Sequence, residues 1–433
     1  MDWMKIEELL QRLIRFDTTN PPGNEGKCIM FIHQLLEEAG IESMILGEKE
    51  DRLNLFARLR GKGTKPPFLM YGHVDVVTTA HQSWDYSPFE GMIEEGCIWG
   101  RGALDMKGAV AMMIWAMVHM KHEGIVPSGD IVLCLVCDEE DAGLYGAKYV
   151  VEGYRELFKD IRYAIGEIGG FTMHINGKRF YPIMVAEKQR CGIRAVIKGQ
   201  GGHGSMPAKA GAMAKLGRIL TKLDKSRLPV HITPPGKMMF EALASNLSFP
   251  TSKIIKSLLN PRFTDRVLDI MGDKGRVFDP LLHNTVNATI VRGGEKINVI
   301  PGEVVLDFDG RILPGFSSES ILIELENILG KDADLELLFY DKGPDKVDMT
   351  MFEDLGAILK EGDNDAIPIP FVVSGVTDAR FFSRLGIQTY GFTPMMLPDD
   401  IDFSKLIHNA NERIPVEALY FGSESIFKLI SRY

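Results

Sequence analysis

The run "IVLCLV" at residues 131–136 has no polar position, and after Cys137 come four carboxylates in a row, "DEED", at 138–141. A strand without a polar face must be covered on both sides, as the central strand of a parallel sheet between helices is. The carboxylates then stand where that strand leaves the core. Helix patterns and short apolar runs alternate along the rest of the chain, which indicates an α/β fold. Residues 5–16 read as a helix that stops before Pro21 and Pro22, and 25–39 as a second that ends at Gly40. "NLFARL" (54–59), "FLMYGHVDVV" (68–77) and "YAIGEIGG" (163–170) read as strands. "GAVAMMIWAMVHMKHEG" (108–124) is apolar nearly all round, so it reads as a buried helix whose methionines are core.

From about Cys191 the texture changes. The pattern is strand (193–198), helix (208–223), strand (285–291), strand (303–311), helix (318–329), strand (335–340). That is βαββαβ, the ferredoxin-like order. The expected organisation is therefore a first domain at 1–190, an inserted domain at 191–344, and a return to the first domain at 345–433. In the return, 351–360 and 416–430 read as helices and 371–374 as a strand. Residues 234–283, rich in Met, Pro and Lys, form an elaboration inside the insertion with no assigned role.

A chain of 433 residues buries a large core without disulfides, so any bound metal serves chemistry rather than folding. The net charge of -10 argues against nucleic acid or an anionic membrane as partner. Five scattered cysteines do not make a disulfide framework, and they fit a reducing compartment. "CLVC" (134–137) has the spacing of a redox or zinc pair, but within a strand it reads as a buried structural pair. The amphipathic start lacks the apolar run of a signal peptide. No stretch of ~18 uncharged apolar residues is present. The expected location is cytoplasmic.

Several His and acidic residues fall where strands end: His73 and Asp75, Glu139 and Glu140, and Glu167. Asp105 lies in the glycine-rich "GRGALDMKGA", and His408 in "LIHNANE". In open α/β sheets ligands bind beyond the carboxyl ends of strands, where these groups could converge. Converging carboxylates repel unless a cation relieves them. His73, Asp105, Glu140, Glu167 and His408 carry three negative charges against the four positive charges of two divalent ions, and one hydroxide balances the sum. Imidazole with carboxylate suits zinc, with cobalt or manganese as substitutes. Asp105, with two oxygens, is the natural bridge. Each residue alone has a blander reading: a core histidine, a helix cap, a solvated strand end or a surface histidine. Taken together they are much harder to produce by chance. Which of Glu139 and Glu140 is the ligand is left open by the residues themselves.

"GHVDVV", "WGRGALDMKGA" (99–109), "DEEDAG", "GEIGG", "GGHGSMP" (201–207), "INVIPG" (297–302) and the late His408 resemble one family. It is the co-catalytic zinc amidohydrolases and exopeptidases that include aminoacylase, acetylornithine deacetylase, succinyl-diaminopimelate desuccinylase, glutamate carboxypeptidase and carboxypeptidase S. The likeness runs from about residue 6 to the end, and "GRGALDMKG" followed by "DEE" is its most specific part. It implies a mixed-sheet zinc exopeptidase-like catalytic domain carrying a ferredoxin-like lid. It implies that His73, Asp105 and Glu167 hold one zinc, and that Asp105, Glu140 and His408 hold the other. Asp75 would accept the second N–H of His73 and fix its ring. Glu139 would be the general base, taking a proton from the attacking water and passing it to the leaving amine. Asp138 and Asp141 are left as structural.

In the inserted domain, His203 reads by sequence alone as an exposed loop histidine. The resemblance implies that it reaches the active site of a partner subunit and stabilises the oxyanion, which makes the protein a homodimer through its lid. Whether it acts within its own chain or across the dimer is open. Arg311 would grip a substrate carboxylate, and Asn298 would line the same pocket. "GVTDARFF" (375–382) reads as a turn and helix without a role. Thr78 stands where many relatives have proline, and the 234–283 segment loosely resembles the larger carboxypeptidase S branch.

The expected function is hydrolysis of an amide or peptide bond beside a free carboxylate, in an N-acyl amino acid or in a dipeptide or short peptide. The alternative is a non-catalytic metal- or ligand-binding descendant of the fold. The presence of all five candidate ligands together with Glu139 argues against it.

Overall fold

The computed structural model describes residues 4–344 and 346–433. The starts expected for the outer segments, residues 1 and 345, lie outside the described residues. The chain forms two compact units. The first comprises Met1–Val185, Asp348–Phe371 and Thr377–Tyr433, and the second comprises Ala186–Val347 with Val372–Val376. The short return at 372–376 has no counterpart in the expected boundaries. It is tied to the start of the second unit by a backbone bond of 2.9 Å from Lys188 N–H to the Val373 carbonyl.

In the first unit Ile131–Val136 lies inside a nine-stranded sheet, and all six of its residues are buried. Arg52–Leu59 pairs with it antiparallel, and Phe68–His73 pairs with it parallel on the other side. Tyr163–Gly166 and then Gln388–Gly391 continue the parallel run. Phe68 is opposite both Ile131 and Tyr163, so these strands start level. His73, at the end of its strand, lies opposite Val136. His73, the 137–141 loop and Glu167 therefore emerge at one edge of the sheet.

Lys107–His122 is buried on nearly every face, as its sequence requires, and packs against Val416–Arg432 and Ile6–Ile14. The strand expected at 68–77 stops at His73. Past it, Val76 makes only an isolated bridge to Thr19. Gln388–Gly391 has only four residues, too few for a period-two pattern to register in the sequence.

The second unit is built on a four-stranded antiparallel sheet ordered Thr285–Arg292, Glu303–Ile312, Gln189–Lys198, Asp334–Asp341. In chain order this is 2-3-1-4, as the ferredoxin-like connection requires. Cys191, Ile193, Ala195 and Ile197 face one way, as strand alternation dictates. They join Leu306, Phe308, Ile219 and Leu325 in one core, the last two coming from helices Ala212–Lys225 and Ser318–Leu329. On strand positions between them, Arg194 pairs with Asp307 at 2.7 Å. The 234–283 segment folds as five short helices, beginning with Pro234–Asn246 and ending with Asp279–Leu282. Thr233 caps the first of them by accepting from Gly236 N–H at 3.2 Å. An isolated bridge between Val230 and His283 brings the ends of the segment together.

Candidate metal centre

Three strand ends and two loops of the first unit place His73, Asp105, Glu140, Glu167 and His408 side by side. His73 Nε2 lies 3.2 Å from Asp105 Oδ1 and 3.7 Å from Glu167 Oε2. His408 Nε2 lies 3.2 Å from Asp105 Oδ2 and 3.2 Å from Glu140 Oε2. Asp105 thus turns one oxygen to each histidine. The ligand atoms form two groups, His73–Asp105–Glu167 and Asp105–Glu140–His408, within each of which they lie within 4.8 Å of one another. Glu140 Oε1 and Glu167 Oε1 are buried with no hydrogen-bond partner among the described residues. Oxygen atoms left so in a buried acidic cluster are what divalent cations would satisfy, and the imidazole and carboxylate donors fit zinc.

The electrostatics carry the same message. Hydrogen bonds to Asp105 and Glu140 push His408 up to about 10. Burial alone would lower His73, but the carboxylates of Asp105, Asp75 and Glu167 around its ring hold it well above its ordinary value. Glu139 is pushed up strongly, first by burial and then by Glu167. The cluster carries more negative charge than its two imidazoles neutralise.

Glu139 adjoins Glu140 at the start of a short 3-10 turn, Glu139–Asp141. Asp75 sits beneath both: its Oδ1 accepts Glu139 N–H at 3.2 Å and its Oδ2 accepts Glu140 N–H at 3.0 Å. Asp75 also stands beside the His73 ring, as expected of a group that orients it. His73 Nδ1 is 3.0 Å from the Asp75 backbone carbonyl, while the carboxylate lies at 3.5 Å, beyond a good hydrogen bond. The carboxylate is committed chiefly to the loop of Glu139 and Glu140.

The Asp105 loop has a support that the sequence reading missed. Glu412 is fully buried and accepts N–H groups from Gly102, Leu104 and Asp105 at 3.2, 2.8 and 3.0 Å. It pairs with buried Arg101 at 2.6 Å. Arg101 also donates to Gln82 Oε1 at 2.8 Å, and Gln82 Nε2 donates to the His408 carbonyl at 2.9 Å. One chain of contacts thus fixes both Asp105 and His408. The only signal was an acid four residues beyond His408, and nothing in the sequence paired it with Arg101.

Asp138 is buried with its backbone in the left-handed region, φ 70°, which aspartate tolerates better than most residues. Its carbonyl accepts Gly143 N–H at 2.6 Å. Gly143 has φ 72°, and a Cβ there would meet Asp378 and Phe381 at 2.8 Å. Asp378, from the stretch given no role, is buried and pushed well above the ordinary carboxyl range, first by burial. Arg380 of the same stretch donates to the Ala142 carbonyl at 2.8 Å.

His203, Asn298 and Arg311 belong to the second unit. His203 pairs with Val299 in a two-residue ribbon, and Gly204 N–H bonds the Asn298 carbonyl at 2.8 Å, so His203 and Asn298 are neighbours. His203 Nδ1 is 2.7 Å from Ser205 Oγ. The Arg311 fork is engaged by Asp309, with both contacts at 2.9 Å. In this structure the guanidinium faces that carboxylate of its own strand. The five cysteines are all free and buried.

Residues 69–432 match the model of peptidase family M20/M25/M40. The human N-fatty-acyl-amino acid synthase/hydrolase PM20D1 is 27% identical over 92% of this chain and 81% of its own length. A Dictyostelium discoideum protein named probable carboxypeptidase S-like 2 is 26% identical over 81% of this chain and 68% of its own. In fold, the chain is similar to the crystal structure of an M20 family metallo-carboxypeptidase, Sso-CP2, from Sulfolobus solfataricus. The TM-score is 0.66 at 16% identity, covering 99% of this chain and all (100%) of that one.

Proposed function

The chain belongs to peptidase family M20/M25/M40, and from that premise we propose that it cleaves the amide or peptide bond beside a free carboxylate, with two zinc ions at its site. The family and the relatives make it a hydrolase acting on C–N bonds. The observation that carries the finer reading is Asp105, whose two oxygens each face a different histidine–glutamate pair.

His73, Asp105 and Glu167 would hold one ion, and Asp105, Glu140 and His408 the other. When bound, the pair would supply the positive charge that acidifies a water and polarises the scissile carbonyl. The remaining work falls to the chain's own groups. Glu139 takes the proton from the attacking water and returns it to the leaving amine. Asp75 holds the backbone of Glu139 and Glu140, so base and ligand keep a fixed relation. His203 would steady the developing oxyanion from the second unit, acting as a lid and across a homodimer. Arg311 and Asn298 would meet the substrate carboxylate, which requires Arg311 to release Asp309.

The name of the human relative supports acylated amino acids as substrates, and that of the Dictyostelium relative supports peptides. Turnover of N-acetyl and N-fatty-acyl amino acids, set beside that of unblocked dipeptides, separates the two classes. The net charge of -10 supports a substrate other than nucleic acid. No helix among the described residues is long and apolar enough to cross a membrane. Free cysteines support a reducing, cytoplasmic setting.

The decisive variant is Glu139→Gln. It is expected to bind about two zinc ions per chain by metal analysis while losing at least about 100-fold in kcat. Activity surviving at the wild-type rate would remove Glu139 from the mechanism.

A further inference from the structure

The stretch "DTTNPPGNEG" at 17–26 delivers a buried amide to the underside of the candidate centre. Asn20 is 3% exposed. Its Nδ2 donates to Asp75 Oδ2 at 2.9 Å and to Asp138 Oδ1 at 3.2 Å. Its Oδ1 accepts from Arg52 Nη1 at 3.2 Å. Every polar atom of the side chain is therefore engaged. The arrangement is specific to an amide: one nitrogen carries two protons for two carboxylates, while the oxygen faces a guanidinium. Aspartate, the same shape, has no proton to give and would add a third carboxylate.

The two carboxylates that Asn20 joins do different work. Asp75 accepts the backbone N–H groups of Glu139 and Glu140 and lies next to His73 Nδ1. Asp138 opens the acidic turn: its Oδ2 accepts Tyr145 N–H at 3.0 Å and its carbonyl accepts Gly143 N–H. Arg52 completes the arrangement by pairing with Asp138, by donating to the Pro22 carbonyl at 2.7 Å and by approaching Glu25 at 3.3 Å. Backbone bonds hold the strap itself: Asn20 N–H to the Val76 carbonyl at 2.9 Å, and Val76 N–H to the Thr18 carbonyl at 3.1 Å.

We propose that Asn20 is a positioning residue of this site: its amide locks Asp75 to Asp138, and so fixes from one point the backbone of Glu139 and Glu140 and the surroundings of His73. The inference rests on the two-ion reading above. It adds a residue that touches neither substrate nor ion and through which both ion positions are held in register. Losing a group bonded directly to a ligand typically lowers metal affinity about 10–100-fold, and Asn20 acts one contact further out.

The test uses the full chain stripped of metal and titrated with Co2+ alone. Binding is followed by calorimetry and by the visible absorption of the bound ion, for wild type, Asn20→Ala, Asn20→Asp and a His73→Ala control. Thermal unfolding of each metal-free protein runs alongside. Asn20→Ala is expected to lose about 10-fold in Co2+ affinity, the low end for a support of the ligands, with an altered absorption band, and Asn20→Asp to lose more. Should either be unfolded without metal, Asn20→Ser, which keeps one donor, is read the same way. Variants that melt earlier but bind Co2+ with wild-type affinity and spectrum would reduce Asn20 to a structural residue and overturn the proposal. A wild type that takes up less than one Co2+ per chain, or a His73→Ala variant that binds like wild type, would instead overturn the two-ion reading itself.

Discussion

At the scale of single residues, this site is a problem of crowded negative charge solved by support from beneath. The five proposed ligands were legible in the sequence because strand ends in an α/β sheet are where such groups meet. Their supports were not. Glu412, Arg101, Gln82, Asn20 and Arg52 are ordinary polar residues whose partners lie between 19 and 326 positions away. Only folding discloses that they are buried and paired. Glu412 gives the sharpest consequence. Glu412→Ala leaves Arg101 buried without its carboxylate and three backbone N–H groups without an acceptor. Removing one member of a buried ion pair typically costs about 3–5 kcal/mol, so urea unfolding should show a loss of that order, with weakened metal binding through Asp105. A loss below about 1 kcal/mol would mean that water replaces the carboxylate at no cost.

At the scale of elements, the chain divides between those whose pattern is strong and those whose pattern is weak. The six-residue apolar strand Ile131–Val136 and the buried helix Lys107–His122 declare their burial in composition alone. The strand Gln388–Gly391 does not, yet it extends the parallel run beside Glu167. The 234–283 segment is an element of a different kind. Its ends meet at the Val230–His283 bridge, and the core of the four-stranded sheet is assembled from residues outside it. Replacing residues 234–280 with a short Gly-Ser linker is therefore expected to leave a folded protein, with far-ultraviolet circular dichroism reduced only by the lost helices and a single cooperative melt. A molten melt would show that the helices carry part of the core. Ile193, by contrast, is in the centre of that core, and Ile193→Ala should cost about 2–5 kcal/mol in the same assay.

At the scale of the whole molecule, the sheet edges of the second unit bear on assembly. The edge strand Thr285–Arg292 exposes Ile290 and Val291 at 46% and 58%, and at the other edge of the same sheet Phe339 is 42% exposed. Such edges invite pairing with a second copy, which supports the proposed homodimer. If His203 serves a partner's site, mixed dimers of His203→Ala and Glu139→Gln chains hold one intact combination. Mixing the two inactive variants is then expected to restore up to about a quarter of wild-type activity, since half of the dimers are mixed and each holds one working site of two. No recovery in dimers proven to be mixed would place His203 in its own chain's chemistry or outside it.

By itself the sequence determined the α/β class, the inserted βαββαβ order and the five residues that gather at one sheet edge. Burial pattern and strand-end chemistry are local properties that a linear string records. Tertiary structure alone decided that the Asp75 carboxylate accepts the backbone N–H groups of Glu139 and Glu140, and that Asn20 and Glu412 hold the neighbouring loops. Those are matters of direction and distance between segments far apart in the chain. A buried polar side chain is assigned its partner only when the fold has removed the water that would otherwise have served it.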